Sequence, residues 1–85
     1  MNKNYAVINV ELTGKKICTI CKDKGYSVKE LQHLLCLETP QSIYRWFGKT
    51  LPSLSNLYNL SKILSVPMED LLVAETVAIE KKYDY

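Results

Sequence analysis

Two sets of residues in this chain could do chemistry. Cys18 and Cys21, spaced C-x2-C, are followed by His33 and Cys36, spaced H-x2-C; three thiolates and an imidazole are the ligand types of a tetrahedral zinc site. The second set is polar: Gln41, Ser42, Tyr44 and Arg45, with Lys49 just beyond. A glutamine amide can pair with the N6 and N7 edge of adenine, and an arginine can reach a guanine edge or a phosphate. A tyrosine hydroxyl suits phosphate or sugar, and Lys15, Lys16, Lys29 and Lys49 are of the type that holds a nucleic-acid backbone. Enzymatic chemistry finds less to work with. The only histidine is His33, so a nucleophilic Cys–His pair would need it beside a thiolate. No phosphate-cradling glycine loop is present, because Gly14, Gly25 and Gly48 are spread along the chain at expected helix boundaries. The sequence points away from an enzyme.

The elements that must position these residues decide between the two sets. Ser27-Val28-Lys29-Glu30 is a capping box that opens a helix, and Leu31, Leu34 and Leu35 give it an apolar stripe. Thr39-Pro40 then offers an N-cap and a proline at the first helical position. The helix that follows carries Ile43, Trp46 and Phe47 inward and leaves Gln41, Ser42, Tyr44 and Arg45 outside. Two short helices joined by a tight turn make a helix-turn-helix, the device that presents its second helix to the DNA major groove. Upstream, a helix is expected from near Thr13 to Lys24, capped by Gly25, with Ile17, Ile20 and Cys21 as its inner stripe. That helix holds both Cys18 and Cys21 without the glycine-rich turn that brings paired thiolates to one metal, and His33 is expected to face solvent. The cysteines therefore read as core and turn residues, and no metal or other cofactor is expected.

Downstream, Ser53 caps a fourth helix with Leu54, Leu57, Leu60, Ile63 and Leu64 on one face. Pro67-Met68-Glu69-Asp70 starts a short fifth helix with acidic residues in its first turn, and Leu71 and Leu72 close the core. The expected organisation is an N-terminal arm over residues 1–12, a helical domain over 13–73 and a C-terminal tail over 74–85. In the arm, Tyr5, Val7 and Asn9 alternate with Ala6, Ile8 and Val10, a pattern equally compatible with a short strand and with a loose extended segment.

With 85 residues there is room for one domain and one modest core. The net charge of +2 permits nucleic-acid binding without demanding it. The first residues do not have the pattern of a secretory signal, and no run of about eighteen apolar residues could span a membrane. Three cysteines, an odd number, then suggest reduced thiols and a cytoplasmic setting.

The chain resembles the Xre/Cro (phage-repressor) helix-turn-helix family over about residues 13 to 73. The resemblance rests on Thr13-Gly14-Lys15-Lys16-Ile17, Gly25-Tyr26-Ser27, Ile43-Tyr44-Arg45-Trp46, Gly48-Lys49, Leu51-Pro52-Ser53-Leu54, and Leu64 through Leu72. It implies a compact, all-α, five-helix DNA-binding domain acting as a small transcriptional regulator, as a homodimer on double-stranded DNA. By position, Gln41, Ser42 and Arg45 would meet bases, while Lys15, Lys16, Lys29, Tyr44 and Lys49 would meet the backbone. The fifth helix, the tail and the arm all remain open as the dimer surface. Three departures from the family pattern point to an alternative. Val28 stands where a phosphate-touching glutamine is common, the Leu37-to-Pro40 turn is one residue longer than usual, and the Phe47-Gly48-Lys49 loop is one residue shorter. Glu38 adds a negative charge near the groove-facing end. The alternative is a protein-interaction module, antitoxin-like or anti-repressor-like, that keeps the fold with weak DNA binding.

Overall fold

The computed structural model describes the backbone of residues 3–79 and the side chains of residues 5–76. Along the chain run strand β1 (Lys3–Ile8) and helices α1 (Val10–Asp23), α2 (Val28–Leu34), α3 (Gln41–Trp46) and α4 (Leu54–Leu64). A 3-10 turn at Met68–Leu71 and strand β2 (Ala74–Ile79) complete it. The helices form one body, while β1 and β2 pair antiparallel, from Lys3 opposite Ile79 to Ile8 opposite Ala74. The molecule measures 52 × 22 × 18 Å, elongated by a β-ribbon whose described side chains from Tyr5 to Val7 and Ala74 to Thr76 are all exposed.

This corrects the expected all-α architecture of five helices. The fifth helix stops after one 3-10 turn, and the chain turns extended at Leu72, with φ −104° and ψ 147°. Val73, Thr76 and Val77 are β-branched and favour extended backbone, and β1 supplies the partner that lets them form a strand. Of the expected tail, residues 80–85 lie outside the described residues.

Local caps set the helix ends. α1 begins at Val10, earlier than expected, because the Asn9 side chain accepts the Leu12 N–H at 2.9 Å. Gly14 therefore lies inside the helix, not at its boundary. Gly25 ends α1 with a φ of +81°, and Tyr26 donates its N–H back to the Cys21 carbonyl at 2.9 Å. The capping box of α2 is present, Ser27 accepting from Glu30 N–H at 3.1 Å and Glu30 accepting from Ser27 N–H at 3.2 Å. Thr39 does not cap α3. Pro40 occupies the cap position with helical backbone and no side-chain hydrogen bond. α4 has the expected serine cap, the Ser53 hydroxyl accepting from Asn56 N–H at 3.2 Å.

The core gathers Ile17 and Cys21 of α1, Leu31 of α2, Ile43 and Trp46 of α3, Leu57, Leu60 and Leu64 of α4, and Leu71. Two expected core leucines lie outside. Leu34 is half exposed at the last turn of α2, and Leu54 is 75% exposed on the first turn of α4. Each has the right helical phase but stands at the end of its helix, beyond the reach of the facing elements. Two turns take left-handed backbone without glycine, at Cys36 (φ 55°) and Ser65 (φ 54°).

α1 carries two long-range ties on adjacent residues. Thr13 is fully buried; its hydroxyl accepts the Val73 N–H at 2.9 Å and donates to the Val73 carbonyl at 3.4 Å, fixing the root of the ribbon. Gly14 lies against the turn after α3, where a Cβ would sit 2.2 Å from the Gly48 nitrogen and 2.4 Å from the Phe47 carbonyl carbon. Only glycine allows main chain to pack on main chain this closely. Gly14→Ala should therefore destabilise the domain by about 3 kcal/mol, the upper part of the overpacking range, because a backbone segment must move. Urea unfolding checks it. Cys36→Gly should do the reverse, adding about 1 kcal/mol by relieving the left-handed backbone, and raising Tm by about 4–8 °C.

Candidate nucleic-acid interface

α3 is short, and what lies on either side of it fixes its direction. On its N-terminal side Gln32 of α2 donates its side-chain amide to the Glu38 carbonyl at 3.1 Å and the Leu37 carbonyl at 3.4 Å. Leu37 in turn donates its N–H to the Gln32 carbonyl at 3.0 Å. The inter-helix turn is thus braced, with Glu38 held by its main chain and exposed to solvent. Gln32 is not among the residues that the sequence alone singles out. A glutamine five and six residues before two consecutive turn carbonyls was the available signal, but only a known turn shape makes it readable.

On the C-terminal side, the Arg45 carbonyl accepts three N–H groups, from Gly48 at 3.3 Å, Lys49 at 2.8 Å and Thr50 at 3.0 Å. This folds the chain back over the last turn of α3. Gly48 makes the fold possible with a φ of +152°, a conformation that strains any residue with a side chain. Lys49 returns beside Arg45 as a result. The short loop brings its lysine close to the helix.

Between these braces, Ile43 and Trp46 anchor α3 in the core, and Phe47 packs against it. The opposite side is open. Gln41, Tyr44, Arg45 and Lys49 line one shallow depression, with Ser42 exposed in the same first turn. The Tyr44 ring meets the Phe47 ring edge-on, at 6.3 Å between centroids and 88° between planes, which holds the phenol upright while leaving it 60% exposed. The depression is lined by two cations, an amide and a phenol, with no carboxylate among them.

The other lysines are not part of this depression. Lys29 lies with Ser27, Glu30, His33 and Leu34 along another shallow surface, on α2. Lys15 pairs with Glu11 one turn earlier at 3.3 Å, both side chains open to solvent, and Lys16 is half-buried. Val28, where the family pattern often has a phosphate-touching glutamine, packs against the core.

The cysteines and histidine differ in burial. Cys21 is buried, Cys18 half-buried and Cys36 exposed, with His33 exposed on α2. Burial, helped by the neighbouring Cys18, pushes the Cys21 thiol up to about 11, as its place in the core dictates. Among the described residues no three His, Cys, Asp or Glu side chains gather as a metal would require. Also among the described residues, no helix is long and apolar enough to cross a membrane.

A family model described as helix-turn-helix matches residues 19–71, a span that starts within α1 and runs through α2, its braced turn, α3 and α4. Among curated proteins, none matches the chain. The span covers more than half of the sequence and contains the whole of the α2–turn–α3 unit, so the chain belongs to the Xre/Cro-type helix-turn-helix family of DNA-binding regulators.

Proposed function

We propose that this protein is a sequence-specific transcriptional regulator that inserts α3 into the DNA major groove. The observation that carries the proposal is the convergence of Gln41, Tyr44, Arg45 and Lys49 on one acid-free surface of α3. In this reading Gln41, Ser42 and Arg45 face base edges, Gln41 suited to adenine and Arg45 to guanine. Tyr44 and Lys49 hold the adjoining backbone. Lys29, at the start of α2, and Lys15 and Lys16 on α1 add flanking phosphate contacts, Lys15 by exchanging its exposed Glu11 partner for phosphate. Such exposed ion pairs are worth little, so the exchange costs little.

One domain of this size has limited contact area. Useful specificity then comes from a homodimer on two half-sites about 34 Å apart, one helical turn. The regulator would act in the cytoplasm, by occupying an operator.

A second reading is favoured by one surface. Leu54 and Tyr58, one turn apart on α4, line an open, largely apolar depression with Met68, and the two are 75% and 51% exposed. Exposed apolar side chains grouped in this way suit a protein partner, as an antitoxin-like or anti-repressor-like module would need.

Titration of the purified protein against its own upstream DNA and a scrambled duplex, over a range of salt, separates the two. Clear preference for the upstream fragment supports the regulator; weak and equal binding to both favours the protein-partner module. Arg45→Ala should weaken operator binding by about 1–3 kcal/mol and relax the preference at one base. Lys49→Ala should weaken binding to all sequences alike and lower the salt slope by about one. Unchanged affinity in both variants, with the fold intact, would remove this surface from the interface.

A further inference from the structure

We propose that the free edge of β1 joins two copies of this chain, edge to edge, into a four-stranded antiparallel sheet. The inference deepens the homodimer reading above by naming the surface that makes it.

The main-chain hydrogen bonds of the ribbon identify the edge. Asn9 donates its N–H to the Val73 carbonyl at 2.8 Å, one step beyond the Ile8–Ala74 pair and in the same register. In an antiparallel ladder, pairs that exchange main-chain hydrogen bonds alternate with pairs that turn those groups away from each other. Counting back from Asn9, Val7 and Tyr5 direct their main-chain groups to β2, and Ile8, Ala6 and Asn4 direct theirs outward. Among the described residues β1 has no neighbour on that side, since the sheet contains β1 and β2 alone.

This edge is complementary to itself. Set antiparallel to a second copy about a two-fold axis at Ala6, Ala6 exchanges hydrogen bonds with Ala6 of the other copy, and Asn4 with Ile8. Tyr5 then stands directly opposite Val7 of the other copy, on the same face, and the symmetry makes that pair twice. Aromatic and β-branched residues opposed across strands are favourable pairs. Tyr5 and Val7 are 50% and 42% exposed in the single chain, so the pairing gives both a cover they lack.

Two further features select this edge and this partner. Exposed strand edges are normally protected by charge, proline or a bulge. Residues 4–8, Asn-Tyr-Ala-Val-Ile, contain no charge and no proline, and the register runs through them without a bulge. The β2 edge differs. A two-fold at Thr76 would bring two copies of Glu75 diagonally across one face, within repulsive range. A two-stranded ribbon with both faces open is also marginal by itself, and three or more strands are what gives a sheet independent stability.

Sedimentation equilibrium of the full chain without DNA tests this. The wild type should have a mass near twice the 9.8 kDa of the chain. Ala6→Pro removes an N–H that points outward and leaves the β1–β2 ladder intact, as proline on an edge strand can. It should weaken dimerisation at least about tenfold while the far-ultraviolet helical signal stays unchanged. Tyr5→Lys, which loses the cross-strand pair without altering the backbone, should do the same, and it decides alone if the proline variant loses its helical signal. A wild type that stays monomeric at the highest soluble concentration overturns the proposal, and so do folded variants that dimerise like the wild type. Because the mass is read without DNA, the two readings fail separately. A monomer that binds upstream DNA overturns only the ribbon dimer, and a ribbon dimer indifferent to DNA overturns only the regulator.

Discussion

The contact between Gly14 and the Phe47–Gly48 turn is the constraint on which the rest of the domain depends. Side chains usually separate packed elements, and they can adjust. Here α1 meets the turn after α3 main chain to main chain, with no space for even a methyl group at Gly14, so the separation of the two segments is set by backbone dimensions. Because that turn is drawn back onto the Arg45 carbonyl by three N–H groups, fixing the turn also fixes the last turn of α3. The direction of a six-residue helix is thus set by a contact outside it. Hydrogen bonds within so short a helix could not do this, since isolated helices of that length are not stable.

The other end of α3 is held with less economy. No side chain caps it, and the turn before it relies on Gln32 and on Cys36 in a left-handed conformation. A cysteine there costs about 1 kcal/mol or more relative to glycine, and Ser65 bears a similar cost at the end of α4. Both residues are exposed, so the cost lies in the backbone conformation and not in crowding by neighbouring elements. The core of Ile17, Leu31, Ile43, Trp46, Leu60 and Leu64 outweighs it, each buried side chain of this size contributing about 1.5–3 kcal/mol before its entropy is counted.

What could be read from the sequence was whatever rests on local chemistry. The Ser27–Glu30 capping box, the Ser53 cap, the Gly25 stop and the inward Ile43 and Trp46 depend on neighbours within one or two helical turns, and the structure has all of them. The residues now lining the α3 surface could be named for the same reason, since helical phase alone separates Gln41, Tyr44 and Arg45 from the core side. What escaped depends on partners far along the chain. β2 forms because β1, some seventy residues away, pairs with it. Leu54 has the phase of a core residue, but its exposure depends on where the facing elements end. Lys15, Lys16 and Lys29 can be assigned to α1 and α2 from the sequence, but the surface each one joins depends on tertiary packing.

Thr13 and Gly14 give this arrangement its consequence. They are adjacent in α1, one holding the root of the ribbon through Val73 and the other holding the turn that orients α3. Ribbon and α3 are therefore referred to the same turn of the same helix, through a buried hydroxyl and a backbone contact, neither of which has slack. A linker of flexible residues would let a recognition helix swing relative to its dimer surface, and the ordering would cost entropy each time two half-sites were engaged. Here the main chain passes from β1 to α1 through Asn9 alone, and that residue is itself tied down, its N–H to Val73 and its side chain to Leu12. Two copies joined by their ribbons would hold their α3 helices at a spacing set before DNA is met. The half-site separation would then be a property of the protein's geometry, written chiefly by a threonine and a glycine that touch neither partner nor base.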